Sequence, residues 1–305
     1  MSETAAPGSP ARRRLSPGVV ILLLVILVQA CFGIYLIQTR IDRQFGPYRA
    51  TEEILYVENG DLLKRAVLGF ESIAADLYWL RAVQYYGGKR SLEPNKRFDL
   101  LKPLLDITTS LDPHLTVAYS YGAIFLSELQ PVGAATPLKG IELVDKGIRN
   151  NPGHWRFYLD KGFIYFWHLK EYHKAAEAFL AGSKVPGAPY WMAAMAGRAL
   201  TRGGERQMAR ELWRMLHQTA ENEQMRGNAL VHLQQLDALD QMDALNRIIA
   251  HYQEKTARKA SGWPDLVHAG LLGGVPADPS GVPYVLNPLA QKAEIARGSL
   301  LFVLP

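Results

Sequence analysis

Cysteine is nearly missing from this 305-residue chain: Cys31 is the only one. No intrachain disulfide can form, which suits either side of a membrane, and the long stretch after residue 31 offers no cysteine nucleophile. Other signatures of chemistry are missing too. No glycine loop ends in Gly-Lys-Ser/Thr; Gly87-Gly88-Lys89 and Gly182-Ser183-Lys184 lack the preceding spacing. No Gly-x-Ser-x-Gly elbow occurs. The eight histidines are scattered, and His168 and His173, five apart, do not share a helix face. His168 and Glu171 could share one, but two ligands do not make a zinc site. The paired carboxylates Glu52-Glu53 read as solvated linker residues. There is no compact basic run, and aromatics are not interleaved with lysines, so nucleic acid is not an expected partner. The sequence therefore predicts no catalytic residue, no cofactor and no metal site.

Charge is missing from one place in particular. From Val19 to Ile37 there is no Asp, Glu, Lys or Arg, and only Gln29 is strongly polar. As a helix this run is about 28 Å long, close to the ~30 Å hydrocarbon thickness of a bilayer. A cleaved signal peptide would be shorter and end at a small-residue site, whereas Phe32, Ile34, Tyr35, Leu36 and Ile37 stay apolar beyond Ala30. A lipoprotein signal would need a small residue where Gln29 stands before Ala30-Cys31. An uncleaved transmembrane helix over 17–39 fits best. Arg12, Arg13 and Arg14 precede it and Arg40, Arg43 and Arg49 follow, a tie in number. The denser N-side group predicts a cytoplasmic N-terminus and a body outside the cytoplasm, as in a single-pass inner (plasma) membrane protein with a periplasmic domain.

Hydrophobic residues make up 48% of the chain and charged residues 21%, so the body can bury a core. The net charge of +5 is mild and suits an anionic membrane surface or an acidic partner. Five segments are expected. Residues 1–16 form a disordered basic tail, 17–39 the membrane helix, 40–60 a juxtamembrane segment, 61–262 a helical body and 263–305 an extended or hairpin segment. Within 61–262 apolar residues recur at three- and four-residue spacing, and Leu68, Ile73, Leu77, Leu80 and Val83 populate one broad face. Strand-like alternation is scarce until Val282, Tyr284 and Leu286, which follow the turn sequence Asp278-Pro279-Ser280-Gly281. That last segment is expected to pack on the final helices; a partner-binding tail is the alternative.

The body repeats. Asp112-Pro113, Asn151-Pro152 and Val185-Pro186 each precede a helix, containing Gly122, Gly162 and Gly197 in turn. The prolines are 39 and 34 residues apart and the glycines 40 and 35. In the clearest unit Pro152 opens, Gly162 and Tyr165 lie in the first helix, and Tyr172, Ala175 and Phe179 in the second. This resembles the tetratricopeptide repeat, a pair of antiparallel helices recurring every 34 residues. The small residues allow the two helices to approach, and Tyr165 and Phe179 fill the space around them. The glycine stands one residue too far from Ala175 for the family, the unit after Pro113 lacks a clear second helix, and the segment after Gly203-Gly204 matches only in its second. The resemblance implies an all-α fold, a right-handed solenoid of three to five hairpins.

Aromatics are dense: Trp155, Phe157, Tyr158, Phe163, Tyr165, Phe166 and Trp167 fall within thirteen residues. One helix cannot direct all of them inward, so some should line an accessible groove. The resemblance implies which, because the first helix of each hairpin lines the concave face in that family. Alignment on Gly162 selects Arg156, Leu159, Phe163 and Phe166; on Gly122, Tyr119, Ala123 and Leu126; on Gly197, Trp191, Ala194 and Arg198. Such a surface suits a peptide with apolar side chains and a carboxylate, since guanidinium binds carboxylate bidentately. The expected function is a membrane-anchored extracytoplasmic scaffold holding an envelope protein or peptide, for assembly of a secretion, pilus, transport or electron-transfer system. The alternative is a chaperone-like adaptor presenting a client to a membrane enzyme, as in cytochrome c maturation. A membrane enzyme or small-ligand receptor is a third, weaker reading.

Overall fold

The computed structural model describes residue 18, residues 26–30, 32–37, 39–40, 60–92 and 97–302. The expected tail 1–16 and nearly all of the juxtamembrane segment lie outside these residues. So does part of the 17–39 run; its described residues are helical. No described helix is long and apolar enough to cross a membrane. The chain divides into two compact units, 1–56 and 57–305, and the second is the subject below.

The body is helical from Gly60 onward. α1 (Gly60–Ala66) and α2 (Glu71–Leu92) precede α3 (Leu101–Leu111), α4 (Thr116–Ser127) and α5 (Pro137–Asn150). α6 (Trp155–Phe163) runs into a π-helical turn (Ile164–Leu169), followed by α7 (Tyr172–Ser183), α8 (Trp191–Arg202) and α9 (Arg206–Gln218). The long α10 (Glu223–Thr256) then leads to α11 (Trp263–His268) and a two-stranded hairpin, β1 (Val285–Asn287) and β2 (Lys292–Glu294). Each helix packs chiefly on those next to it in sequence, from α2 on α3 through to α9 on α10. This is solenoid-like packing of an all-α chain.

The turns set its period. The Asp112 carboxylate accepts the His114 N–H at 2.8 Å, which shapes the turn before α4. One repeat later, the Asn151 amide reaches back to that turn: Nδ2 donates to the Pro113 carbonyl at 2.8 Å, and Oδ1 lies 2.8 Å from His114 Nδ1. α4 and α6 each begin three residues after their proline, so the two hairpins are offset by the 39-residue turn spacing rather than the 40-residue glycine spacing.

Small residues admit large ones across each hairpin. A methyl group on Gly162 would lie 2.3 Å from the Phe179 ring, and one on Gly197 would lie 2.6 Å from the Trp213 indole. The first unit reverses the arrangement: the ring, Tyr119, is on the first helix, and a methyl group on Gly147 of the second would lie 3.0 Å from it. Phe179 and Trp213 share one core cluster with Ala175, Ala196, Leu200 and Leu236. The π turn lies between Gly162 and Ala175, and an i→i+5 turn holds one more residue than an α turn.

At the N-terminal end Tyr86 fastens α2 to the array. Its ring stacks on Phe125 at 4.0 Å, and its hydroxyl donates to Glu128 Oε2 at 2.8 Å. Burial, helped by the Glu128 charge, pushes this phenol up to about 12. At the other end Arg206 bridges Asp240 and Asp243, and Arg210 bridges Asp237 and Asp240, tying α9 to α10.

The C-terminal segment packs on α10, as the alternation of Tyr284 and Leu286 predicts. Leu286 faces Ala293 across the antiparallel pair, and both are buried with Leu245, Ile249 and Trp263. Trp263 Nε1 donates to the Tyr284 carbonyl at 2.7 Å, and the Tyr284 hydroxyl donates to Gln241 Oε1 at 2.7 Å. Asp278 closes the preceding turn, accepting from the Ser280 and Val282 amides at 2.9 and 3.1 Å. The short helix α11 is a difference from the extended segment expected there. Pro264 stands in its first turn, and the Asp265 carboxylate accepts the Ser261 N–H at 2.7 Å.

Candidate functional site

The residues selected from the sequence lie on α4, α6, the π turn and α8, and the structure sorts them into three groups. Tyr119 and Leu126 are 0% and 1% exposed, so neither can line a groove; Ala123 is buried with them. The reason is the register. The helix starts align Ala123, not Gly122, with Gly162, and a shift of one residue turns a helix face by about 100°. The accessible large residues on α4 are instead Tyr121 and Ile124.

Leu159, Phe163 and Phe166 form the second group. They are half-buried and pack against the central core cluster. Phe163 meets Phe179 edge-on at 5.5 Å. Phe166 lies in the π turn, which breaks the straight-helix register, and its ring turns to Tyr172 at 5.2 Å and Trp167 at 4.9 Å. Trp167 is the exposed member of this trio at 66%.

The third group, Arg156, Trp191 and Arg198, is exposed. Two of these are joined by a residue not selected from the sequence. The Arg156 guanidinium lies 5.1 Å from the Trp155 ring, and that ring meets Trp191 edge-on at 6.2 Å. Tyr190, next along, is 60% exposed. The result is a patch of Trp, Tyr and Arg at the N-terminal ends of α6 and α8. His154, at its edge, is held below the usual imidazole range, by burial first and by the Arg156 charge second.

A second missed residue, Asp160, lies one turn after Arg156. Its Oδ2 accepts from Ser120 Oγ at 2.6 Å, linking α6 to α4. Burial pushes its carboxyl up, opposed by the Ser120 hydrogen bond and the Arg156 charge. Arg198 belongs elsewhere: its charge and, more strongly, burial hold His232 below the ordinary imidazole value. The His232 ring stacks on Trp213 at 4.1 Å.

A cleft between α5, α6 and α7 is lined by Tyr158, Tyr165, Lys161 and Lys174 among others. Its cations are already paired, Lys161 with Asp145 at 2.7 Å and Lys174 with Glu171. Among the described residues no group of three or more His, Cys, Asp or Glu could hold a metal ion. No family model, curated protein or solved structure matches the chain.

Proposed function

We propose that this chain is a membrane-anchored scaffold of the tetratricopeptide type, with its body outside the cytoplasm, holding a protein or peptide partner of the cell envelope. Residues 17–39 enter the bilayer in this reading. The stacked Asx-Pro turns and the glycine–aromatic pairs of successive hairpins support the repeat assignment. Fold alone does not decide function, and one observation carries the reading: half-buried Trp155 joins the exposed Arg156 and Trp191 in one patch, with exposed Tyr190 beside it. Trp, Tyr and Arg are the residue types that dominate binding energy at protein interfaces. Arg156, held over Trp155, is placed to take a carboxylate while the indoles take apolar side chains.

The test is affinity purification of the full chain from detergent-solubilised native membranes, read by quantitative mass spectrometry. The expected result is a partner that is lost, or reduced at least tenfold, with Trp191→Ala and with Arg156→Glu at unchanged thermal stability. A partner retained at full yield by both variants overturns this assignment of the surface.

A further inference from the structure

α2 is apolar on two faces, and the fold covers only one. Ala75, Ala82 and Tyr86 are buried on its inner face, where α2 packs on α3. On the opposite side Phe70, Ile73, Leu77 and Leu80 are 65%, 59%, 63% and 53% exposed, and Leu68 just before them is 84% exposed. Their spacing of three, four and three residues keeps them in one stripe, about 15 Å long from Phe70 to Leu80. A helix that is apolar on both sides needs cover on both. The Tyr86–Phe125 stack fixes which way α2 faces, so the stripe cannot turn inward without breaking it.

Charge and connectivity say what the cover is. Lys64 and Arg65 are exposed one to two turns before the stripe, and Arg81 and Asp76 border it on its two sides. Residues 60–92 carry five basic side chains against three acidic ones. Exposed apolar side chains with the cations Lys64 and Arg65 at their N-terminal end suit the headgroup–acyl boundary of an anionic bilayer. The stripe also lies near the start of the described body, on the side of the chain that leads to the uncharged 19–37 run. Nineteen residues lie between Arg40 and Gly60, a reach of at most about 70 Å. A tether of that length keeps the stripe at high effective concentration beside the membrane it is tied to.

We infer that the Phe70–Leu80 stripe of α2 rests on the lipid surface, with Ile73 and Leu77 at the headgroup–acyl boundary. This rests on the proposed anchor over residues 17–39. The contact holds the body against the bilayer.

The test uses the full chain carrying Cys31→Ser with Ile73→Cys, Leu77→Cys or, as a control on α9, Glu211→Cys. Each is labelled with an environment-sensitive fluorophore and reconstituted into phosphatidylcholine–phosphatidylglycerol vesicles. Spin-labelled lipids should quench labels at 73 and 77 several-fold more than at 211, and Leu80→Asp should reduce the quenching at 73. A label at 73 that stays in water overturns the inference. So does a label shielded from water but not quenched by lipid, which would mean a protein cover, and a second copy if shielding grows with protein density. An alkaline wash reads the anchor separately. A chain that resists the wash while position 73 stays in water loses this inference alone. A chain that washes off after lipid quenching at 73 loses the anchor and keeps the contact.

Discussion

Gly162 lies against the ring of Phe179, so closely that a methyl group on its α-carbon would fall 2.3 Å from Cε1. Phe179 is fully buried and Ala175, one turn earlier on α7, is too. The close approach of α6 and α7 therefore depends on the missing side chain.

Gly162→Ala should destabilise the protein by about 1–3 kcal/mol, the usual cost of overpacking a dense core. Phe179→Leu in the same chain should recover part of the loss, because the two sites share one contact. Denaturant unfolding of the two single variants and the double variant reads the coupling. Equal and additive losses would mean that the glycine serves some other purpose. Ala175→Leu, at the same crossing, is expected to cost a similar amount.

The stacked turns make a second prediction. Asn151→Ala removes the donor to the Pro113 carbonyl and the partner of His114, and should cost about 1–2 kcal/mol. The loss should be local in character, with faster amide exchange over residues 112–118 than over α9. A uniform change across the chain would contradict a role confined to the junction of two hairpins.

Much of this architecture was legible in the sequence, for reasons that particular residues make plain. Gly162, Gly197 and their prolines marked the hairpins because close helix crossings need small residues and turns need Pro. Tyr284 and Leu286 marked the C-terminal pairing because alternation is the signature of a half-buried strand. The register of α4 was not legible. Gly122 is the visible small residue, yet it nestles against Leu105 and Leu143, and Ala123 occupies the place of Gly162. The reversal of ring and glycine in Tyr119–Gly147 hid the second helix of that unit. The π turn was invisible as well, since nothing in Ile164–Leu169 distinguishes an i→i+5 turn from an α turn before the side chains are packed. Trp155 was passed over because the family alignment assigned groove positions by spacing, whereas the helix start places its ring between Arg156 and Trp191.

Histidine 232 sets a pH dependence of definite sign. Burial against Trp213, with Arg198 nearby, lowers its folded-state pKa below the unfolded value of about 6.5. The unfolded chain then binds more protons, so this residue's contribution to stability is present above about pH 6.5 and is lost as pH falls through the folded value. His154 and His168 are shifted the same way by burial. His232→Gln should flatten, without abolishing, the fall in melting temperature between about pH 7 and pH 5. Parallel curves for the parent and the variant would show that the imidazole is not held neutral.

The arginine ladder between α9 and α10 should contribute little for its size. Arg206 and Arg210 reach three aspartates whose side chains are 50–54% exposed. Exposed pairs typically contribute ~0.2–1 kcal/mol each and weaken with salt. Asp240→Asn, which loosens both arginines, should lower stability by about 1 kcal/mol at low ionic strength and by less in ~1 M salt. A loss that does not diminish with salt would point to packing of the arginine stems, and not their charge, as the contribution.

Tyr284 is the residue on which the C-terminal hairpin depends. It is 3% exposed, its carbonyl takes the Trp263 indole N–H, and its hydroxyl reaches Gln241 on α10. Tyr284→Phe keeps the ring and loses only the hydroxyl bond, for about 1 kcal/mol. Tyr284→Ala opens a cavity beside Leu245 and Ile249 and should cost ~3–5 kcal/mol. If the hairpin serves as cover for α10, the Ala variant should also expose residues 275–302 to proteolysis while the α4–α9 array stays resistant. The proposed partner-binding patch is on α6 and α8, so under that proposal partner yield from membranes should survive Tyr284→Phe unchanged. A loss of partner with Tyr284→Phe at full stability would move the binding surface to the hairpin and away from Trp155, Arg156 and Trp191.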